Sequence, residues 1–127
     1  MMDLFDEMIQ QENFKEAIAI GEKVSNMYGK LNGYGAKVDT VGLSSVICAL
    51  RLGDMVVAKE YLDKFDNFNS DAYLMAEKLV QAYESRDADA LEAAKSDQGG
   101  KLALANPALF ALRGIHLSAE EDNEAML

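Results

Sequence analysis

Tryptophan is missing from these 127 residues, and proline, cysteine and histidine occur once each. With Pro107 alone, little in the chain stops a helix. A single cysteine, Cys48, excludes an intramolecular disulfide framework. A single histidine, His116, leaves little for imidazole catalysis or a Cys/His zinc site. Positive charge is scarce too: 12 Lys and Arg stand against 22 Asp and Glu, a formal net charge of −10. That balance argues against nucleic-acid binding, which needs clustered positive charge. It suits anionic membrane surfaces poorly and suits a partner with a basic patch well. No apolar run reaches the roughly 18 residues of a membrane span. The opening Met1-Met2-Asp3-Leu4-Phe5-Asp6-Glu7 is acidic where a secretory signal is basic. A cytosolic protein is expected.

Half of the residues are apolar and 27% are charged, which suits a folded domain with a core. The apolar residues recur at three and four, the helical period. Phe14, Ala17, Ile18, Gly21, Val24, Tyr28 and Leu31 mark one helix face. Asn13 with Glu16 reads as its capping box, and Asn32-Gly33 as its left-handed stop. A second helix is predicted over residues 34–52, with Val38, Val41, Val46, Ile47 and Leu50 inward and Gly53 at its end. Asp54 caps a third helix carrying Met55, Ala58, Tyr61, Leu62 and Phe65. Ser70 caps a fourth, with Tyr73, Leu74, Ala76, Leu79, Val80, Ala82 and Tyr83. Asp87 or Asp89 caps a short fifth, which Gly99-Gly100 breaks. Residues 102–115 form a last helical stretch, interrupted or restarted at Pro107. Residues 4–9 make one further short amphipathic helix.

A weak repeat runs through this pattern. Asn13, Asp54 and Asp87 are capping residues, each followed four positions later by a small or apolar residue. Their spacings, 41 and 33 residues, are those of helical hairpins. The fold class read from this is all-α: tetratricopeptide-like antiparallel hairpins, an α-solenoid ending in a small helical bundle. A closed bundle is the all-α alternative. Residues 1–117 form the helical-hairpin domain. Residues 118–127, with Glu120, Glu121, Asp122 and Glu124 and an apolar Met126-Leu127 end, read as a mobile acidic tail.

The chemistry of catalysis is hard to find. Gly29, Gly33 and Gly35 are spaced as turn glycines, and no strand precedes them as a dinucleotide fingerprint requires. Cys48 lies in the apolar run Val46-Ile47-Cys48-Ala49-Leu50 and reads as a buried, inert thiol. His116 has no acid–base partner nearby in sequence. Asp87 and Asp89 lack the alternating acids and glycine of a calcium loop. Tyr28, Tyr61, Phe65, Tyr73 and Tyr83 follow helical spacing and, with Met55 and Met75, fit core positions. The expectation is a protein without a catalytic site, metal or cofactor.

The order of motifs carries a resemblance. Phe14-Lys15-Glu16-Ala17, Glu22-Lys23, Met27-Tyr28 and Asn32-Gly33-Tyr34 come in sequence. Ala49-Leu50-Arg51-Leu52-Gly53-Asp54 with Val57-Ala58 follows in register. Leu79-Val80-Gln81-Ala82-Tyr83-Glu84 with Asp87 and Asp89 comes next, and Lys101-Leu102-Ala103-Leu104 and Leu112-Arg113-Gly114-Ile115 close the match loosely. Together, over about residues 12–117, these resemble the late helical hairpins of the soluble NSF attachment proteins, the SNAP family, and its gamma branch most. That resemblance implies a non-catalytic adaptor that recruits the AAA+ ATPase NSF to SNARE bundles for disassembly in vesicle trafficking. It implies a cytoplasmic protein peripheral to vesicle or target membranes, and a chain matching only the C-terminal part of the family. The NSF-binding residues it implies are Glu84, Asp87, Asp89, Glu120, Glu121, Asp122, Glu124 and Leu127. The chain departs from the family's alpha branch in having Gln81 and Ser85 where that branch has acids. Basic residues for SNARE contact are few: Lys30, Lys37, Arg51, Lys59 and Lys64. A face that a missing hairpin would cover is expected to be capped by residues 4–9 or paired in a homodimer. A generic tetratricopeptide-like scaffold with an unrelated ligand is the other reading.

Overall fold

In the computed structural model, residues 2–31 and 33–117 are described; the acidic tail 118–127 and Asn32 lie outside the described residues. Among the described residues there are eight helices and no strand. They are α1 (Met2–Gln10), α2 (Phe14–Gly29), α3 (Gly35–Leu52), α4 (Met55–Leu62), α5 (Asp71–Ser85), α6 (Ala88–Lys95), α7 (Gln98–Leu102) and α8 (Asn106–Arg113).

α3 is the hub. Every residue from Val41 to Leu50 is buried. A helix apolar on all sides can be stable only when neighbours cover all of it, and α2, α4, α5 and α8 do so. Each fully buried Val, Leu or Ile contributes roughly 1.5–3 kcal/mol relative to exposure. Small residues set how closely the neighbours approach. A Cβ at Gly21 would stand 2.8 Å from the Phe5 ring and 2.9 Å from Ser45 Oγ, so α1 and α3 press on α2 at that point. A Cβ at Gly42 would meet the Phe65 ring at 3.0 Å.

The pairing is antiparallel from α2 through α5. Tyr28 stacks on Tyr34 where α2 hands over to α3, and Gly21 meets Ser45 deeper in the pair. Phe65 meets Tyr73 edge-on at one end of the α4–α5 pair, and Lys59 pairs with Glu84 at the other. α6 packs on α5 in turn. α7 lies on α5, and α8 returns to pack on α1 and α3. Phe5 and Ile9 of α1 are 1% and 2% exposed, so residues 4–9 do cover an apolar face.

Several helix ends follow the sequence reading. Gly53 closes α3 in the left-handed region, with φ +74°. Asp54, Ser70 and Asp87 each accept a hydrogen bond from the backbone N–H three residues on, at 3.0–3.1 Å. Pro107 starts α8 in its first turn, where a missing N–H costs nothing.

Other ends differ. α2 stops at Gly29 rather than at Asn32-Gly33, so Leu31 leaves the helix and is 49% exposed. Asn13 makes no side-chain cap; its amide donates instead to Met8 Sδ at 3.7 Å. Leu74 points outward at 38% exposure. Phe65 is buried but lies beyond the end of α4. Gly99-Gly100 is no breaker. Both residues sit inside α7, which Asp97 caps by accepting from the Gly100 N–H at 3.2 Å. Tertiary packing explains this: a Cβ at Gly99 would press on the Asp71 carboxylate and one at Gly100 would run into Met75. Only glycines let α7 lie so close to α5.

Candidate functional site

The sequence repeat becomes one repeated turn. Glu12, Gly53 and Arg86 all adopt left-handed φ, at 60°, 74° and 56°. Each precedes one of the repeat residues Asn13, Asp54 and Asp87. In each turn the N–H of the repeat residue donates five residues back, to Met8, Ala49 and Ala82, at 2.8–3.0 Å. The left-handed residue donates three back, to Ile9, Leu50 and Tyr83. This pair of hydrogen bonds is the Schellman closure of a helix, and the next helix starts at once.

These three turns lie at one end of the molecule. The Arg51 guanidinium stands 4.8 Å over the Phe14 ring, which joins the α1–α2 turn to the end of α3. A Cβ at Gly53 would be 3.9 Å from the Tyr83 hydroxyl, which joins the α3–α4 turn to the end of α5. The carboxylates Glu12, Asp54, Glu84, Asp87 and Asp89 are all exposed at this end. So are the apolar Leu52 at 47% and Val56 at 70%. Of the residues expected at an acidic interface, Glu84, Asp87 and Asp89 therefore fall together. Glu120, Glu121, Asp122, Glu124 and Leu127 lie outside the described residues. Sequence reading missed Glu12 and Asp54 as members of the same edge. The signal was present, because the repeat itself aligns their turns with that of Asp87.

The roles of these acids differ. Asp87 spends one carboxylate oxygen on capping α6, and the residue is exposed. Asp89 sits in the first turn of α6, where negative charge is favoured by the helix dipole. Glu84 forms an ion pair with Lys59, and both side chains are about half exposed. A pair that wet contributes little to stability.

The basic residues sort themselves as well. Arg51 is a structural strap. Its side chain is 20% exposed, Nη1 donates to the Ala111 carbonyl at 3.1 Å, and Nη2 lies 3.7 Å from Glu12 Oε1. Lys64 pairs with Glu22 at 3.3 Å and sits 4.8 Å over the Tyr61 ring. Lys59 is engaged by Glu84. Lys30 and Lys37 are exposed at the opposite end, by the α2–α3 turn.

Two further clusters were not legible in the sequence. Asp39 is 3% exposed, and its carboxylate accepts from the Asp66 N–H at 2.6 Å and the Asn67 N–H at 3.3 Å. Burial pushes its carboxyl up, against the pull of those two bonds. Between the end of α1, the start of α2, the end of α3 and α8 lies a cleft of about 530 Å³, lined by Ile9, Glu12, Phe14, Arg51, Pro107 and Phe110 among others. Cys48 is fully buried on α3, and burial pushes its thiol up to about 12, so it stays protonated at neutral pH. Among the described residues no helix is long and apolar enough to cross a membrane, and no group of three or more His, Cys, Asp and Glu is placed to hold a metal ion. In comparison with known proteins, no family model, no curated protein and no solved structure matches the chain.

Proposed function

We propose that the chain is a non-catalytic adaptor of the SNAP kind, whose acidic turn edge engages a basic surface on the AAA+ ATPase NSF. The observation that carries this is the gathering of Glu84, Asp87, Asp89, Asp54 and Glu12 on one edge, beside exposed Leu52 and Val56. Such an edge gives a basic partner both long-range attraction and an apolar contact. The ordered likeness of residues 12–117 to SNAP hairpins supplies the identity of the partner. The acidic tail adds four carboxylates within ten residues, on a chain that already carries net negative charge.

The hairpin-repeat part of the proposal draws support from the three equivalent Schellman turns at 12, 53 and 86. The return of α8 onto α1 and α3 limits it: an open solenoid touches only neighbouring repeats. SNARE contact belongs to the same proposal, through a longer assembly. Lys30 and Lys37 are its remaining candidates, since Arg51, Lys59 and Lys64 are engaged within the fold. A peripheral place on vesicle or target membranes goes with it.

The test is binding to the immobilised N domain of NSF across a salt series. Variants should spare the fold: Asp87→Ser keeps a capping oxygen, and Glu84→Gln and Asp89→Lys alter exposed side chains. The triple variant should bind at least about tenfold more weakly at low salt, a change of roughly 1.4 kcal/mol. Binding by the parent that ignores salt, or a triple variant that binds as well as the parent, would sink the proposal. A generic scaffold with an unrelated ligand would then take its place.

A further inference from the structure

The cleft between α1, α2, α3 and α8 is built from parts that its structural role alone does not explain. One wall is Phe110, which is 74% exposed, on a helix whose opposite face buries Ala108, Ala111 and Leu112. Phe14, Ile9 and Pro107 complete an apolar lining. The volume, about 530 Å³, is within the range of sites that hold a ligand. The frame is rigid. Arg51 holds the Ala111 carbonyl, and Lys95 donates to the carbonyls of Arg113 and Ile115 at 3.2 and 2.8 Å, so α8 is pinned at its C-terminal end.

The rim shows which charge the cleft takes. Arg51 is already committed, to the Phe14 ring, to the Ala111 carbonyl and to Glu12. Glu12 is not used up. Its side chain is 69% exposed, and Arg51 reaches it only at 3.7 Å. Gln10 and Asn106 stand exposed beside it. Glu12 also holds a left-handed φ of 60° at a helix stop where glycine fits without strain. Arg86 holds nearly the same φ at the equivalent turn, so this conformation belongs to the turn, and it is the exposed carboxylate that belongs to the cleft. Arg113 lies 5.8 Å over the Phe110 ring but is outside the lining.

From this geometry we infer that the cleft is a docking site for a linear segment of a partner protein that presents one large apolar side chain next to a Lys or Arg. The apolar side chain enters between Phe110, Phe14 and Pro107. The neighbouring cation meets the Glu12 carboxylate. Recognition does not depend on the partner being NSF. Glu12 belongs to both the acidic edge and the cleft, but Phe110 belongs to the cleft alone and Glu84, Asp87 and Asp89 to the edge alone, so those variants separate the two readings.

The absence of tryptophan from the chain gives a clean probe. An acetylated and amidated Gly-Lys-Trp-Lys-Gly peptide is titrated with the full chain, and its tryptophan emission is followed. Binding should shift the emission to the blue. Phe110→Ala, at an exposed position that the fold does not need, should abolish the shift. Glu12→Gln should weaken binding about tenfold, and Glu12→Gly, which also relieves the backbone, should weaken it to the same degree. No blue shift at millimolar chain, or an unchanged titration with Phe110→Ala, overturns the site. Tighter binding of a Gly-Glu-Trp-Glu-Gly peptide overturns the cation assignment and makes Arg51 the recognition group.

Discussion

Asp39 is an acid where charge is unwelcome, and it stays because it closes a turn. Its two oxygens accept from Asp66 and Asn67, which lie between α4 and α5. Replacing it by alanine leaves two backbone N–H groups without their partner. The expected cost is about 2 kcal/mol for the pair, read from urea unfolding. The sign of its pH effect follows from burial. The folded carboxyl holds its proton above the ordinary value of about 3.9, so this group favours the folded state most at acid pH. That contribution fades as pH rises through the raised value and is flat beyond it. Parent and Asp39→Asn, unfolded in urea at pH 3, 5 and 7, should show a stability difference that moves against the parent as pH rises. A difference constant across the series would contradict the burial argument. Ser45 presents the reverse case: its hydroxyl is buried between helices with no hydrogen-bond partner. Ser45→Ala removes a desolvated polar group and should leave stability unchanged or raise it by up to about 1 kcal/mol. Cys48 should react with a thiol reagent only at the rate of unfolding, because it is fully buried and its thiolate is disfavoured.

At the scale of the element, α8 is held by two cations from elsewhere in the chain. Arg51 of α3 and Lys95 of α6 hydrogen-bond to carbonyls at its C-terminal end, where positive charge is also favoured by the helix dipole. Lys95 is only 11% exposed, so its donors are directed rather than wet. Lys95→Met keeps most of the stem and removes the charge. It should destabilise the chain by about 2 kcal/mol and raise amide exchange in α8 before α3 responds. Equal exchange across both helices would mean that α8 is held by packing alone. α7 makes a related point. Its two glycines suit it badly by propensity, yet they are what lets it approach Asp71 and Met75. Gly100→Ala should therefore lower stability despite alanine's better propensity.

At the scale of the whole molecule, the return of α8 to α1 and α3 joins the two ends of the described chain. A stack of independent hairpins can unfold from one end. A closed arrangement around α3 should unfold in one step. Circular dichroism and tyrosine fluorescence should give coincident urea transitions, and two separated transitions would favour hairpin independence. The charge layout also belongs to this scale. Three turns far apart in sequence place their acids on one edge, so the effect of charge substitutions there should be non-additive where neighbours share a partner.

The division between what was legible and what was not follows the range of the forces. Local features read correctly from residues. The 3.6-residue period located the main helices, and Asp54, Ser70, Asp87, Gly53 and Pro107 marked their ends because capping acts over three or four residues. The burial of Cys48 was legible for the same reason, since its neighbours on both sides are apolar. The repeat at Asn13, Asp54 and Asp87 even marked three turns of one shape. Two misreadings were local, the Asn13 cap and the stop of α2; the others occurred where a distant residue intervened. Gly99-Gly100 reads as a breaker until Met75 and Asp71 are placed beside it. Arg51 reads as a candidate for SNARE contact until α8 folds back under it, and nothing in the sequence sets Asp39 apart until the α4–α5 turn arrives. The amino-acid sequence by itself determined an all-helical chain, its acidic balance and the caps that divide it. Only the tertiary structure decided that the helices close around α3, which carboxylates share an edge and that a cleft opens beside Phe110. Those contacts span tens of residues, and no pattern within a helical turn encodes them.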